Sequence, residues 1–194
     1  SALPGTTACE SFAPSAAATA RSNSAGTRST LASSTVSRSA RASNDATPRV
    51  LSTGRHTAYI KINEGCDHPC SFCIIPQFRG SFRSRRPESV AAEATRLFAQ
   101  GIREINLIGQ DTTSYGEDLG IRDGLALLLE RLAQIETPRP KWIRFLYAYP
   151  NKVTRKLLDT IAAHASLVNY IDVPLQHSSA RLLRRMKRGA SGDI

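Results

Sequence analysis

Beyond Cys73 the sequence contains no cysteine, and three of its four cysteines lie between positions 66 and 73. This clustering argues against a disulfide framework, whose cysteines are spread along a short secreted chain. No apolar run reaches the length of about 18 residues that a membrane-spanning helix needs, so none is predicted. We therefore expect a soluble protein in the reducing cytoplasm.

Acidic residues are also scarce, at 16 against 26 Lys and Arg, which leaves a formal net charge of +10. An excess of this kind favours a polyanionic partner such as RNA or a ribonucleoprotein particle. The excess is not confined to one end, because residues 48–194 alone carry +8. Charge thus predicts an association tendency and says nothing about chemistry.

Large apolar side chains are nearly missing from residues 1–47, where 30 positions are Ala, Ser or Thr. Such a segment buries too little apolar surface to offset its ordering entropy, so we predict a low-complexity disordered tail. Its scattered arginines resemble a transit peptide in composition, and an aberrant leader is the other interpretation. Residues 48–194 are the predicted folded part.

Within that part, the stretch CDHPCSFC places Cys66, Cys70 and Cys73 in a C-x3-C-x2-C spacing. Thiolates are soft ligands that suit zinc and iron–sulfur clusters. A closed zinc site needs a fourth ligand, which His68 or His56 would have to supply. A four-iron cluster on three thiolates instead leaves one iron open to a small chelating molecule. Zinc, a cluster and inert structural cysteines remain the alternatives from spacing alone.

After the cysteines, β-forming and helical patterns alternate four times, which predicts an α/β fold with a parallel sheet, part of a (β/α) barrel. The active site of such a fold lies at the carboxyl ends of its strands. In the third predicted helix, residues 154–164, we expect Leu158 to face the core. The predicted strands cover 56–63, 103–109, 141–149 and 168–175, and the predicted helices cover 88–100, 123–136, 154–164 and 179–188.

Two basic runs accompany this pattern. The last helix is expected to bury Leu182, Leu183 and Met186 and to expose the charges opposite them, namely Arg181, Arg184, Arg185, Lys187 and Arg188. The other run adjoins the cysteines and is kept as a contact for substrate or RNA; it comprises Arg79, Arg83, Arg85 and Arg86.

Five strand-end motifs carry a resemblance to a known family: EGCDHPCSFCIIPQFRG, INLIGQDTTSYG, FLYAYPN, YIDVPLQHSS and RMKRG. Together they resemble the methylthiotransferase branch of the radical S-adenosylmethionine (SAM) enzymes, most of all those acting on an aspartate of a small-subunit ribosomal protein. The resemblance covers about residues 44–194 and implies a radical SAM (TIM-like) barrel. It also implies a 4Fe-4S cluster, SAM as cosubstrate, cleavage of SAM to a 5'-deoxyadenosyl radical and a reductant protein as electron donor.

The resemblance further implies roles for individual residues. Cys66, Cys70 and Cys73 match the cluster ligands, and Phe72 matches the position near the adenosyl group. Cofactor contacts are implied for Gly109 and Gln110 after the second strand and for Gln176 after the fourth. For Gly109, a turn at a strand end is an equal alternative. No catalytic residue is assigned.

Departures from the family pattern accompany the match. Methylthiotransferases carry three further cysteines on an N-terminal domain, and here only Cys9 precedes the segment 66–73 that holds the three cysteines, which we call the cysteine loop. The last barrel strands and the C-terminal β domain have no counterpart either, so we expect part of a larger enzyme, comprising the first four β/α units. The alternatives are a transfer RNA methylthiotransferase and a non-catalytic basic RNA-binding module stabilised by zinc.

Overall fold

The computed structural model describes residues 54–189, and the tail predicted over 1–47 lies outside these residues. The strands are β1 (Thr57–Lys61), β2 (Asn63–Glu64), β3 (Arg83–Ser84), β4 (Glu104–Ile108) and β5 (Trp142–Phe145). The long strands form a parallel sheet in the order β1-β4-β5, and the two short strands, β2 and β3, pair antiparallel. The α-helices are α1 (Ile75–Arg79), α2 (Pro87–Ala99), α3 (Gly124–Ala133), α4 (Arg155–Ala163) and α5 (Ala180–Arg185).

Parallel pairing follows from the alternation of strands and helices. In register, Ala58 of β1 lies opposite Ile105 of β4, which in turn lies opposite Ile143 of β5. All three side chains are buried in one core that α2, α3 and α4 also enter. Burial of the strands beneath helices is what near-continuous apolar runs predict. The predicted α/β class is therefore confirmed.

Helix α2 begins and ends as its sequence predicts. Pro87 occupies its first turn, where the missing N–H has no partner to lose. Val90, Ala94 and Leu97 repeat at helical spacing and are buried. Gly101 follows with a φ of 95°, a conformation that side chains rarely adopt.

In α4, Thr154 caps the helix by accepting a hydrogen bond from the backbone N–H of Leu157 at 3.2 Å. The expectation that Leu158 faces inward is wrong, because its side chain is 42% exposed. Leu157 and Ile161, four positions apart, form the buried stripe of this helix. Leu158 lies about 100° around the helix from Leu157 and so turns to solvent.

The predicted fourth strand does not form. Beside β5 the chain makes a single bridge, between Ile143 and Leu167, and the described residues 168–175 contain no strand. The physical reason lies in β5, which ends at Phe145 because Tyr147 has a φ of 66°. An extended partner thus has no continuous edge to follow. The last helix is also shorter than predicted, and α1 lies where no helix was predicted.

None of the helices between residues 54 and 189 is long and apolar enough to cross a membrane.

Candidate functional site

The cysteine loop is an excursion that the β2–β3 pair closes at its base. Asn63 faces Ser84 and Glu64 faces Arg83, so the chain leaves and returns at one point. Gly65 starts the excursion with a φ of 80°, and a Cβ there would lie 2.2 Å from the Ser81 carbonyl oxygen. No side chain fits at that position, which explains the glycine directly before Cys66.

The three cysteines line one open cavity of about 180 Å³ at the carboxyl end of the parallel sheet. Cys70 is buried, while Cys66 and Cys73 are partly exposed. Burial raises the pKa of the Cys66 thiol, and the nearby Asp111 carboxylate adds to that effect. Three soft thiol ligands at the opening of one cavity fit a thiolate-bound iron–sulfur cluster. In the described part of the chain, no three His, Cys, Asp or Glu side chains are grouped to hold a single metal ion.

Asp111 organises the second wall of the cavity. Its carboxylate accepts hydrogen bonds from Ser114 Oγ at 2.6 Å and from Thr113 N at 3.0 Å, and it pairs with His68 Nε2 at 2.7 Å. Burial alone would raise the pKa of Asp111, but the hydrogen bonds from His68, Ser114 and Thr113 outweigh it and lower that pKa. Asp111 therefore holds His68, which lies between Cys66 and Cys70, to the loop after β4.

Tyr149 forms a third wall. The ring of His68 stacks on that of Tyr149, with centroids 3.7 Å apart and planes 8° apart. The guanidinium carbon of Arg188 lies 4.8 Å from the same ring centroid. Tyr149 follows β5 at a strand end, which is the signal that could have identified it from sequence.

The residues with implied cofactor roles occupy different positions around this cavity. Phe72 and Gln176 line it, and Phe72 is 52% exposed. Gln110 also lines it, while its Oε1 accepts a hydrogen bond from Gly65 N at 2.8 Å. Gln110 thus fixes the start of the cysteine loop as well as facing the cavity.

Gly109 has a steric explanation of its own. A Cβ at this position would lie 1.8 Å from Asn63 Oδ1. Asn63 in turn donates from Nδ2 to the Asp111 carbonyl oxygen at 2.8 Å, and its side chain is buried. Glycine is required there so that Asn63 can lie against the backbone and connect β2 to the Asp111 loop. Its cofactor contact stays a prediction.

Two charged residues differ from expectation. Arg188, predicted to face solvent, is buried with 9% exposure and lines the cavity. Arg85, predicted to contact substrate or RNA, is also buried and pairs with Glu93 at 2.5 Å. Amphipathic periodicity places Arg188 on an outer helical face, but α5 ends at Arg185, so that periodicity no longer applies.

Residues 60–193 match the radical SAM superfamily. The chain belongs to the radical SAM superfamily. Among solved structures, the radical SAM methyltransferase TsrM from Kitasatospora setae is 23% identical with a TM-score of 0.53, over 71% of this chain and 26% of that one. The cobalamin-dependent SAM radical enzyme OxsB is 16% identical with a TM-score of 0.53, over 72% and 21%. These likenesses confirm the predicted radical SAM fold.

Curated relatives are closer in sequence. The ribosomal protein uS12 methylthiotransferase RimO of Solibacter usitatus (strain Ellin6076) is 78% identical over 151 residues, which is 78% of this chain and 32% of that protein. The protein of the same name from Koribacter versatilis (strain Ellin345) is 70% identical over 148 residues, 76% of this chain and 29% of that protein. The chain therefore spans about a third of the length of these relatives.

Proposed function

We propose that this chain is the cluster- and SAM-binding part of a methylthiotransferase that modifies an aspartate of ribosomal protein uS12. The observation that carries the proposal is that three cysteine thiols line one cavity at the carboxyl end of the parallel sheet, in a chain that matches the radical SAM superfamily. The identity of 78% to a uS12 methylthiotransferase supports the substrate.

In this proposal Cys66, Cys70 and Cys73 hold a 4Fe-4S cluster, and Phe72 and Gln176 lie beside SAM. When bound and reduced, such a cluster supplies the electron that cleaves SAM, which requires the low end of cluster potentials. The chain's own residues shape and orient the site. Asp111 fixes His68, Gln110 fixes the start of the cysteine loop, and Tyr149 walls the cavity.

The partners follow from the same proposal. A uS12 substrate implies a cytoplasmic setting and contact with the small ribosomal subunit, and a reductant protein supplies the electron. With Arg85 buried, the arginines next to the cysteine loop that remain for a substrate or RNA contact are Arg79, Arg83 and Arg86. The transfer RNA methylthiotransferase and the zinc-stabilised RNA-binding module are not favoured, because the curated relatives described above are uS12 enzymes.

A gene deletion tests the proposal. The gene that encodes this sequence is deleted, and the mass of uS12 is measured by mass spectrometry. We expect uS12 to lose the methylthio mass increment, and the native gene to restore it. A gene carrying Cys66→Ala should fail to restore it, whereas Cys9→Ala, which changes a cysteine outside the loop, should succeed. Unmodified transfer RNA together with normally modified uS12 in the deletion strain would contradict the proposal.

A further inference from the structure

We propose that Arg188 is a positioning residue that clamps the cysteine loop and, through a hydrogen bond to Cys70, raises the reduction potential of the bound cluster. This inference rests on the proposed function, because it requires a cluster on the three cysteines. The chain around Arg188 is the RMKRG segment, residues 185–189, which begins at the last residue of α5. Its role is one that neither charge patterning nor helical periodicity predicts.

Arg188 reaches the cavity because the helix does not continue through it. Lys187, directly after α5, has a φ of 50°, which is uncommon for a residue other than glycine. This left-handed residue ends the helical path, and Arg188 follows it buried in the site. The neighbouring Gly189 carbonyl accepts a hydrogen bond from Asn151 Nδ2, which ties the end of the segment to the loop after β5.

The guanidinium of Arg188 makes three contacts around the cavity. Arg188 Nη1 lies 3.8 Å from Cys70 Sγ, and Nη2 donates to the Pro174 carbonyl oxygen at 2.6 Å. Its face lies over the Tyr149 ring. These contacts fix a planar cation in one orientation, which a lysine would not reproduce.

Only part of the guanidinium acts at the site. Arg188 Nε has no hydrogen-bond partner among residues 54–189, and it is too deeply buried to meet a group in the cavity. The Arg188 donors that act are therefore Nη1, toward Cys70 Sγ, and Nη2, toward the Pro174 carbonyl oxygen.

The segment that carries Arg188 also holds the backbone of the cysteine loop. Ser71 N donates to the Met186 carbonyl oxygen at 2.9 Å. Ser71 Oγ also donates to the carbonyl oxygen of Arg185, at 3.4 Å. The end of α5 thus contacts the cysteine loop through both the backbone and the side chain of Ser71. These contacts join parts of the chain that are 115 residues apart, from Ser71 to Met186.

A fixed cation beside a cluster thiolate has a definite electrical effect. Reduction adds one negative charge to the cluster, and a neighbouring positive charge and hydrogen bond stabilise the reduced form more than the oxidised form. Removing Arg188 should therefore make the potential more negative. We expect the equilibrium constant for reduction to fall about tenfold, which for one electron corresponds to about 59 mV.

The test uses the full 194-residue chain, reconstituted anaerobically with iron and sulfide. Wild type, Arg188→Met and Arg188→Gln are titrated with a reductant, and the reduced cluster is followed by electron paramagnetic resonance. Arg181→Met is the matched control, because it removes the same charge from an exposed position on α5. We expect both Arg188 variants to have a more negative potential and the control to match wild type.

The outcomes separate this inference from the proposed function. A wild-type chain that assembles no cluster would overturn both. Loaded Arg188 variants with the potential of the control would overturn the inference alone, and weakened SAM binding at that unchanged potential would assign Arg188 to SAM instead.

If neither Arg188 variant retains a cluster, hydrogen exchange at the Ser71 amide of the metal-free chain decides. Faster exchange than in the Arg181→Met control supports the clamp, and equal exchange overturns it.

Discussion

Replacing Gly109 with alanine should destabilise the protein through a single steric conflict. The added Cβ would lie 1.8 Å from Asn63 Oδ1, so the buried Asn63 side chain must move. Its hydrogen bond to the Asp111 carbonyl oxygen, at 2.8 Å, would then be lost or lengthened. Because Gly109 has an ordinary negative or extended φ, the alanine itself introduces no backbone strain.

The magnitude follows from two costs and one gain. Crowding a packed interior costs about 1–3 kcal/mol, and leaving a buried polar group without its partner costs about 1–3 kcal/mol. Replacing glycine lowers the entropy of the unfolded chain and returns about 0.4–1 kcal/mol. We therefore expect Gly109→Ala to lower the free energy of unfolding by about 1–5 kcal/mol, a large part of the total of about 5–15 kcal/mol of a typical domain.

A double-mutant cycle measured by urea denaturation isolates the cause. Asn63→Ala removes the group that the new Cβ meets, so Gly109→Ala in that background should cost at least about 1 kcal/mol less than in wild type. Gly101→Ala is the matched control, since a Cβ there meets nothing within 4 Å and its cost arises from a φ of 95°. That cost should be the same with and without Asn63. Additive effects of Gly109→Ala and Asn63→Ala would refute the reasoning.

Three further predictions follow from the described side chains. Cys66→Ala should abolish cluster loading measured as iron and sulfide per chain, whereas Cys9→Ala should leave it unchanged. Arg85→Met removes the guanidinium that pairs with the buried Glu93 carboxylate and should cost about 3–5 kcal/mol in urea denaturation. Arg131→Met breaks the exposed Arg131–Glu88 pair, whose atoms lie 2.9 Å apart, and should cost less than about 1 kcal/mol. Equal costs would contradict the burial of the first pair. Because the folded-state pKa of Asp111 lies below its usual 3.8, its carboxylate stabilises the fold above that pH and the contribution disappears as pH falls through the folded-state pKa. The stability difference between wild type and Asp111→Asn should therefore shrink on acidification, and a difference independent of pH would contradict this.

Most of the fold could be predicted because its signals are local. The alternation of Ala58 and Ile60 with more polar neighbours, and the helical spacing of Val90, Ala94 and Leu97, depend only on residues close in sequence. Three strands and the helices that cover them were predicted from such patterns, and the structure confirms them.

The fourth strand could not be predicted because its absence depends on another element. Its β-forming residues indicate a strand, but a ladder also requires a straight neighbour, and Tyr147 turns the chain after β5. Pro174 further removes a backbone donor from the segment. The β-propensity of single residues does not report whether the neighbouring strand is straight. It also does not report the hydrogen bond that Ala148 N donates to the Asp172 carbonyl oxygen in place of a strand ladder.

The candidate site divides in the same way. The cysteine spacing is local, and it predicted three residues that the structure brings to one cavity. Arg188 joins Cys70 from 118 residues away, and Asp111 joins His68 from 43 residues away. Contacts of this kind depend on tertiary structure, so sequence patterns did not indicate the pairing of Asp111 with His68 and predicted an exposed position for Arg188.

The central claim is that the three cysteines hold an iron–sulfur cluster to which SAM binds. The most direct measurement is anaerobic reconstitution followed by iron and sulfide counts and electron paramagnetic resonance with and without SAM. The account predicts about four iron and four sulfide per chain, as a 4Fe-4S cluster contains, with a spectrum that SAM perturbs. About one zinc per chain with no labile sulfide would contradict it.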